Sequence, residues 1–173
     1  MNQVRYVSLF AVACMVMVPM MAMAKSSDRS KPMTIDAGGQ TGSIEGSGTT
    51  VLSGGVVVVQ GTLEVRSTRG EIVMRNNDIS RVIFTGSPAT LKQQMEDGTP
   101  MTAIAERIDY DMANEVVTFM GNYSITSPKG SNSGQKMVYN LRTGNMQGGG
   151  DGTRVRTVIQ PRQQATPRAE GAN

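Results

Sequence analysis

The chain contains no histidine and no tryptophan, and its aromatic side chains are limited to four tyrosines and three phenylalanines. Without imidazole there is no histidine-dependent catalytic triad and no histidine metal ligand. With so few rings, little is available to stack on nucleobases, and no nucleic-acid partner is expected. Cysteine is nearly absent too. Cys14 is the single one and lies within the first 24 residues, so beyond them neither a disulfide nor a thiolate metal site can hold the fold together. Stability must come from burial and hydrogen bonding. A helix-period apolar stripe of useful length is also missing.

What the chain does have begins with MNQVRYVSLFAVACMVMVPMMAMAK. Arg5 is the only charge before Lys25, residues 7–21 are apolar, and Ala22-Met23-Ala24 form a small-x-small motif. This predicts a secretory signal peptide over residues 1–24, cleaved near Ala24. Apolar residues continue past Cys14 to Met21, which argues against a lipoprotein site there. Losing Arg5 with that segment lowers the formal net charge from +3 to +2, a balance that neither demands nor excludes an anionic partner. The remaining length suits one domain with a real core.

Residues 25–32 are polar and end in Pro32, which predicts a loose, flexible leader. From Met33 onward, short runs rich in valine, isoleucine and threonine alternate with turn formers such as DAGGQTGS, RNNDIS, EDGTP and SPKGSNSGQ. Many short strands, an all-β class, are expected. Three stretches share one plan: TTVLSGGVVVVQ, RVIFTGSPATLK and EVVTFMGNYSIT each carry an apolar run, a glycine and a second run. Their glycines, Gly54, Gly86 and Gly121, lie 32 and 35 residues apart. Each is expected to mark a bend or bulge where a strand passes from one sheet to another. Because proline cannot donate to a ladder, Gly86-Ser87-Pro88 is placed at a strand end or sheet edge.

Alternation puts Val56, Val58, Leu63 and Val65 on one face, and Thr62, Glu64 and Arg66 toward water. In the same way Val117, Phe119, Tyr123 and Ile125 oppose Thr118, Asn122 and Ser124. The run Val56 to Val59 breaks the rule and predicts a strand that is covered on both faces or lies beside a partner. A last strand is expected in RVRTVIQ, with Arg154 and Arg156 on one face and Pro161 as its stop. Residues 161–173 lack periodicity and are expected to be disordered.

Catalysis has little to work with. Asp109 and Asp111 flank the inward Tyr110 and fall on a solvated face. Glu96-Asp97-Gly98 reads as a hairpin turn. The glycine-rich GQTGSIEGSGTT has no lysine and no helix after it, so it is no phosphate cradle. The run Gly148 to Gly152 occurs once, whereas calcium-binding glycine repeats need stacked copies. No catalytic residue, metal or cofactor is expected. Methionines such as Met74, Met95, Met101, Met137 and Met146 suit an interior that repacks around flexible chains.

In VLSGGVVVVQGTLEV (51–65), GSPATLKQQMEDGTPM (86–101), RIDYDMANEVVTFMGNYSI (107–125) and RVRTVIQP (154–161), the chain closely resembles the LptA family. These are periplasmic bridge proteins of lipopolysaccharide transport with OstA-like domains. The resemblance spans almost the whole of residues 33–160. It implies a twisted, incompletely closed antiparallel β-jelly roll whose apolar interior admits the acyl chains of lipid A. It also implies head-to-tail joining at strand edges, both to further copies and to inner-membrane-anchored and outer-membrane components of the export machinery. Carried onto this sequence, the lipid-binding interior would be Leu52, Val56, Val58, Leu63, Val65, Ile72, Met74, Phe84, Ile108, Tyr110, Phe119 and Ile125. The assembly edges would be Thr34, Ile35, Asp36 and Ala37 at one end, and Arg154, Val155, Arg156, Thr157, Val158 and Ile159 at the other. Periplasmic localisation follows from the same resemblance.

Two other readings share the glycine punctuation. One is a structural or adhesive β module without lipid cargo. The other is a β-solenoid enzyme acting on polysaccharide, which needs clustered carboxylates that do not appear here.

Overall fold

The computed structural model describes residues 25–150 and 152–161; the expected signal peptide and nearly all of the expected C-terminal tail lie outside the described residues. A short 3-10 turn, Ser26–Ser30, precedes ten strands. They are β1 (Met33–Thr41), β2 (Gly48–Gln60), β3 (Leu63–Ser67), β4 (Arg69–Arg75), β5 (Asp78–Gln94), β6 (Pro100–Asp111), β7 (Val116–Ser127), β8 (Gly130–Asn140), β9 (Met146–Gly148) and β10 (Arg156–Ile159). One antiparallel sheet joins them in the order β1-β2-β3-β5-β6-β7-β8-β10, with β4 beside β2 and β5, and β9 beside β8. The all-β class read from the sequence is what forms, as an antiparallel sheet folded over on itself in the manner of a jelly roll.

The fold comes from bends placed midway along the long strands. Residues 48–52 of β2 pair with β4, whereas residues 56–60 pair with β3. Likewise β8 gives residues 130–133 to β10 and residues 137–139 to β9. Register slips fall between Ala37 and Gly39, Thr85 and Ala89, Ile104 and Arg107, and Met120 and Tyr123. Neighbouring strands slip side by side, so the bulges form one crease across the sheet, and each bulge adds bend to its strand. On one side of the crease lies a first half-sheet, built from β4, β9 and residues 48–52, 78–85, 107–111, 116–120 and 136–140. On the other lies a second half-sheet, built from β3, β10 and residues 56–60, 89–94, 100–105, 123–127 and 130–134. Buried residues of both halves belong to one hydrophobic cluster, so the halves face each other across a shared core.

The three glycines of the repeated unit all sit on this crease. Gly54 and Gly121 have φ of +74° and +75°, which glycine adopts without steric cost. Gly86-Ser87-Pro88 is placed differently from the expectation: it lies inside β5, with paired strands on both sides. The proline is tolerated because the ladders to β3, β4 and β6 all skip residues 86–88, and Thr68, between β3 and β4, donates instead to the Thr85 carbonyl at 3.1 Å.

Of the two readings of the valine run, the strand beside partners is the one that forms: Val56–Val59 pair with β1 and β3, with Val56 and Val58 buried and Val59 40% exposed. Within residues 25–32, Asp28 is 4% exposed and bonds the 3-10 turn to Thr62. The last strand is shorter than RVRTVIQ suggests. It spans Arg156–Ile159, with Arg154 and Val155 before it.

Candidate functional site

Strand register sets the interior out in rows. In the first half-sheet, Phe84, Ile108, Phe119 and Met137 stand side by side across β5 to β8, and Val82, Tyr110, Val117 and Tyr139 form the next row. In the second, Ile35, Val58, Val65, Leu91, Ala103 and Ile125 are aligned from β1 to β7. Cross-strand neighbours on one face are the contacts that stabilise a sheet. The two sets of rows close on each other, and Leu52, Val56 and Ile108 are each 1% exposed.

All the positions assigned to the interior from the sequence lie on this inward surface. Leu52, Val56, Val58, Val65, Ile72, Met74, Phe84, Ile108 and Phe119 are buried in the cluster, and Leu63, Tyr110 and Ile125 pack against it half-buried. Sequence reasoning left out Val82, Ala89, Leu91, Ala103 and Ala105, which are equally inward. Parity was the available signal, but the bulge at 86–88 shifts it: β5 points even residues inward before the bend and odd residues after it. Burial holds the phenols of Tyr110 and Tyr123 above the usual tyrosine range, so both stay neutral at ordinary pH; around Tyr110 the charge of Arg29 works against that rise and Glu115 adds to it.

The charged side chains of β5 and β6 lie on the outer face. Arg81 reaches Asp109 at 3.3 Å and Asp111 at 3.6 Å, and Arg107 reaches Asp109 at 3.6 Å, so the paired aspartates are a solvated ion-pair ladder. Their partners explain them without any acid-base role. A concavity of about 390 Å³ lies on this same outer side, among Arg81, Asp109, Thr118, Lys136 and Val138. Among the described residues no group of carboxylates is arranged to hold a metal ion.

The two ends of the sheet remain open. Among the described residues β1, which contains Thr34, Ile35, Asp36 and Ala37, pairs only with β2, and β10 pairs only with β8. Arg154 and Val155 lie just outside β10, and Val158 and Ile159 are 38% and 81% exposed. A polar chain pins β10 from within: the buried Tyr123 hydroxyl donates to Asn132 Oδ1 at 2.7 Å, and Asn132 Nδ2 donates to Thr157 Oγ1 at 2.8 Å. Gly130 accepts the close approach of the Val158 carbonyl, where a Cβ would collide with it.

Among the described residues the fold is thus a creased antiparallel sheet with an apolar interior and an unpaired strand edge at each end. Residues 34–145 match the family described as LptA/(LptD N-terminal domain) LPS transport protein. The chain belongs to that family. Its similarity to LptA/LptD-type proteins extends to the lipopolysaccharide export system protein LptA of Escherichia coli K12, at 28% identity over 145 residues, covering 82% of this chain and 78% of the relative. The Haemophilus influenzae protein of the same name is 27% identical over 156 residues, covering 88% and 90%. The crystal structure of LptH, the LptA-homologous periplasmic component of the lipopolysaccharide transport device of Pseudomonas aeruginosa, superimposes with a TM-score of 0.69 at 24% identity, over 78% of this chain and 99% of that one. This structural likeness bears on the fold.

Proposed function

We propose that this protein carries lipopolysaccharide through the periplasm, shielding the acyl chains of lipid A between its two half-sheets. It acts as a transport protein and not as an enzyme, in keeping with its family and with the names of its LptA relatives. The observation that carries the reading is the apolar cluster shared by both half-sheets, with the ion pairs of β5 and β6 on the outside. Burying one methylene contributes about 0.8 kcal/mol, so a chain of about a dozen carbons costs on the order of 10 kcal/mol to expose to water. Continuous apolar contact is all that such cargo requires.

The open edges supply the second half of the reading. Among the described residues β1 and β10 each have one side without a paired strand, and strand addition through backbone hydrogen bonds is a general mode of assembly. Copies of the chain would join head to tail, the β10 edge of one to the β1 edge of the next. The same edges would meet inner-membrane-anchored and outer-membrane components of the export machinery. Residues 1–24 would be the signal peptide that delivers the chain to the periplasm, removed near Ala24.

The close packing of the interior favours a second reading, a structural module with no cargo. Mass spectrometry of lipid co-purified from the periplasm separates the two. The transport reading expects lipid A to come with the protein; its absence, where a known binder handled in parallel retains it, supports the structural module.

A further inference from the structure

The interior is filled by its own side chains, with Phe84, Ile108 and Phe119 each no more than 5% exposed. Acyl chains can therefore reach it only if the half-sheets part, and the crease of bulges is the natural hinge. One short segment touches both rims opposite that crease. In the turn Ser26–Ser30, two consecutive residues grip opposite halves of the sheet.

Asp28 grips the second half. Its carboxylate accepts a hydrogen bond from Thr62 Oγ1, in the turn between β2 and β3, and a longer one from Gln93 Nε2 of β5 at 3.5 Å. Gly61 gives it room, since a Cβ there would overlap the carboxylate. Gln60 Nε2 donates to the carbonyl of Lys31 at 3.0 Å and to that of Arg29 at 3.4 Å, and the Lys25 N–H donates to the Gln94 carbonyl at 3.2 Å. This side of the grip has several points, and Asp28 itself is buried.

Arg29 meets the first half through an ion pair. Its Nη1 lies 2.9 Å from Glu115 Oε1, in the turn between β6 and β7, with the two side chains 38% and 29% exposed. Glu115 is held in turn by Arg142 Nε at 3.1 Å. Glu115 lies in the turn that follows β6, whose inner-face Tyr110 packs half-buried against the apolar cluster, so the pair sits at the lip of the interior. Exposed pairs of this kind are weak and screened by salt.

We infer that residues 25–32 are a strap across the mouth of the interior, anchored on the second half-sheet by Asp28 and released from the first when the Arg29–Glu115 pair breaks, and that this release admits the acyl chains of an amphiphile. The inference rests on the interior accepting such chains. Glu115 is a positioning residue in this scheme, because it touches the strap and not the cargo.

The test separates the strap from the cargo. Cysteines replacing the exposed rim residues Gln94 and Ala113 carry spin labels, in the protein purified from the periplasm, and report the distance between the half-sheets. Arg29→Gln should lengthen and broaden that distance, and high salt should do the same to the unaltered pair. In a second protein, Arg29→Cys and Glu115→Cys are bridged by a reducible bismaleimide, and uptake of a fluorescent lauroyl probe is followed. Bridging should slow uptake at least tenfold, reductant should restore it, and Arg29→Gln alone should speed it several-fold. Rim distances that do not respond to Arg29→Gln or salt, with uptake equal before and after reduction, overturn the strap. Rims that open while no variant takes up the probe overturn the acyl-chain reading and with it the admitting role.

Discussion

Gly38 lies against Gly54 where β1 and β2 cross the crease, so closely that a methyl group on Gly38 would stand 2.8 Å from the Gly54 carbonyl oxygen. β2 is fixed on either side of Gly54 by its ladders to β4 and β3, so it has little freedom to move away. Gly54 also holds φ at +74°. Gly38→Ala and Gly54→Ala should each destabilise the protein by about 1–3 kcal/mol, measured by urea unfolding. Gly39→Ala is the contrast. Its nearest neighbour is the movable Ser53 hydroxyl at 3.1 Å, and the change should be much milder.

The core row makes a separate prediction. Phe84 is flanked by Gly70 on β4 and Ile108 on β6 and is 5% exposed, so Phe84→Ala should cost about 3–5 kcal/mol by leaving a cavity. Val59→Ala, on the partly exposed side of β2, should change stability by less than about 0.5 kcal/mol. Similar losses at the two positions would contradict the assignment of faces.

Acid should loosen the strap. Burial pushes the Asp28 carboxyl up, but the hydrogen bonds from Thr62 and Gln93, with the Lys25 charge nearby, outweigh it and hold the group below its ordinary value. A carboxylate depressed in the folded state contributes stability that is fully present above the unfolded value of about 3.9 and is lost as pH falls through the folded value. Amide resonances of Lys31 and Thr62 should hold their positions at neutral pH and move together below about pH 4. Asp28→Asn should abolish that transition.

The polar chain from Tyr123 through Asn132 to Thr157 makes β10 the sensitive end of the sheet. Asn132→Ala leaves the buried Tyr123 hydroxyl without its acceptor, at a cost of about 1–3 kcal/mol. Amide exchange in Arg156–Ile159 should rise at least tenfold in that variant. Concentration-dependent growth in light scattering, expected of open-ended strand joining, should weaken with it.

Much of this arrangement was legible in the sequence because β-structure writes its inward face in alternate residues. Val56 with Val58, Leu63 with Val65, and Phe119 with Ile125 could all be placed before any fold was known. The glycines at 54, 86 and 121 marked the crease. What alternation could not give was the number of residues in each bulge, so Leu91 and Ala103 were missed where parity shifts beyond 86–88 and 105–106. Nor could it give long-range polar contacts. Asp28 is one aspartate in a charged stretch, and nothing local says that Thr62 and Gln93, distant in the chain, will bury it. Asn132 in SPKGSNSGQ looked like a turn residue and instead links β7 to β10.

The central claim is that the inward face, and not the outer one, meets the acyl chains. Site-specific photo-crosslinking in the periplasm tests it most directly, with the reactive side chain at Phe84 or Ile108 inside and at Glu64 or Thr118 outside. Lipopolysaccharide should be captured at the inner positions and not at the outer pair. Equal capture on both faces, or capture at the outer positions alone, would contradict the account.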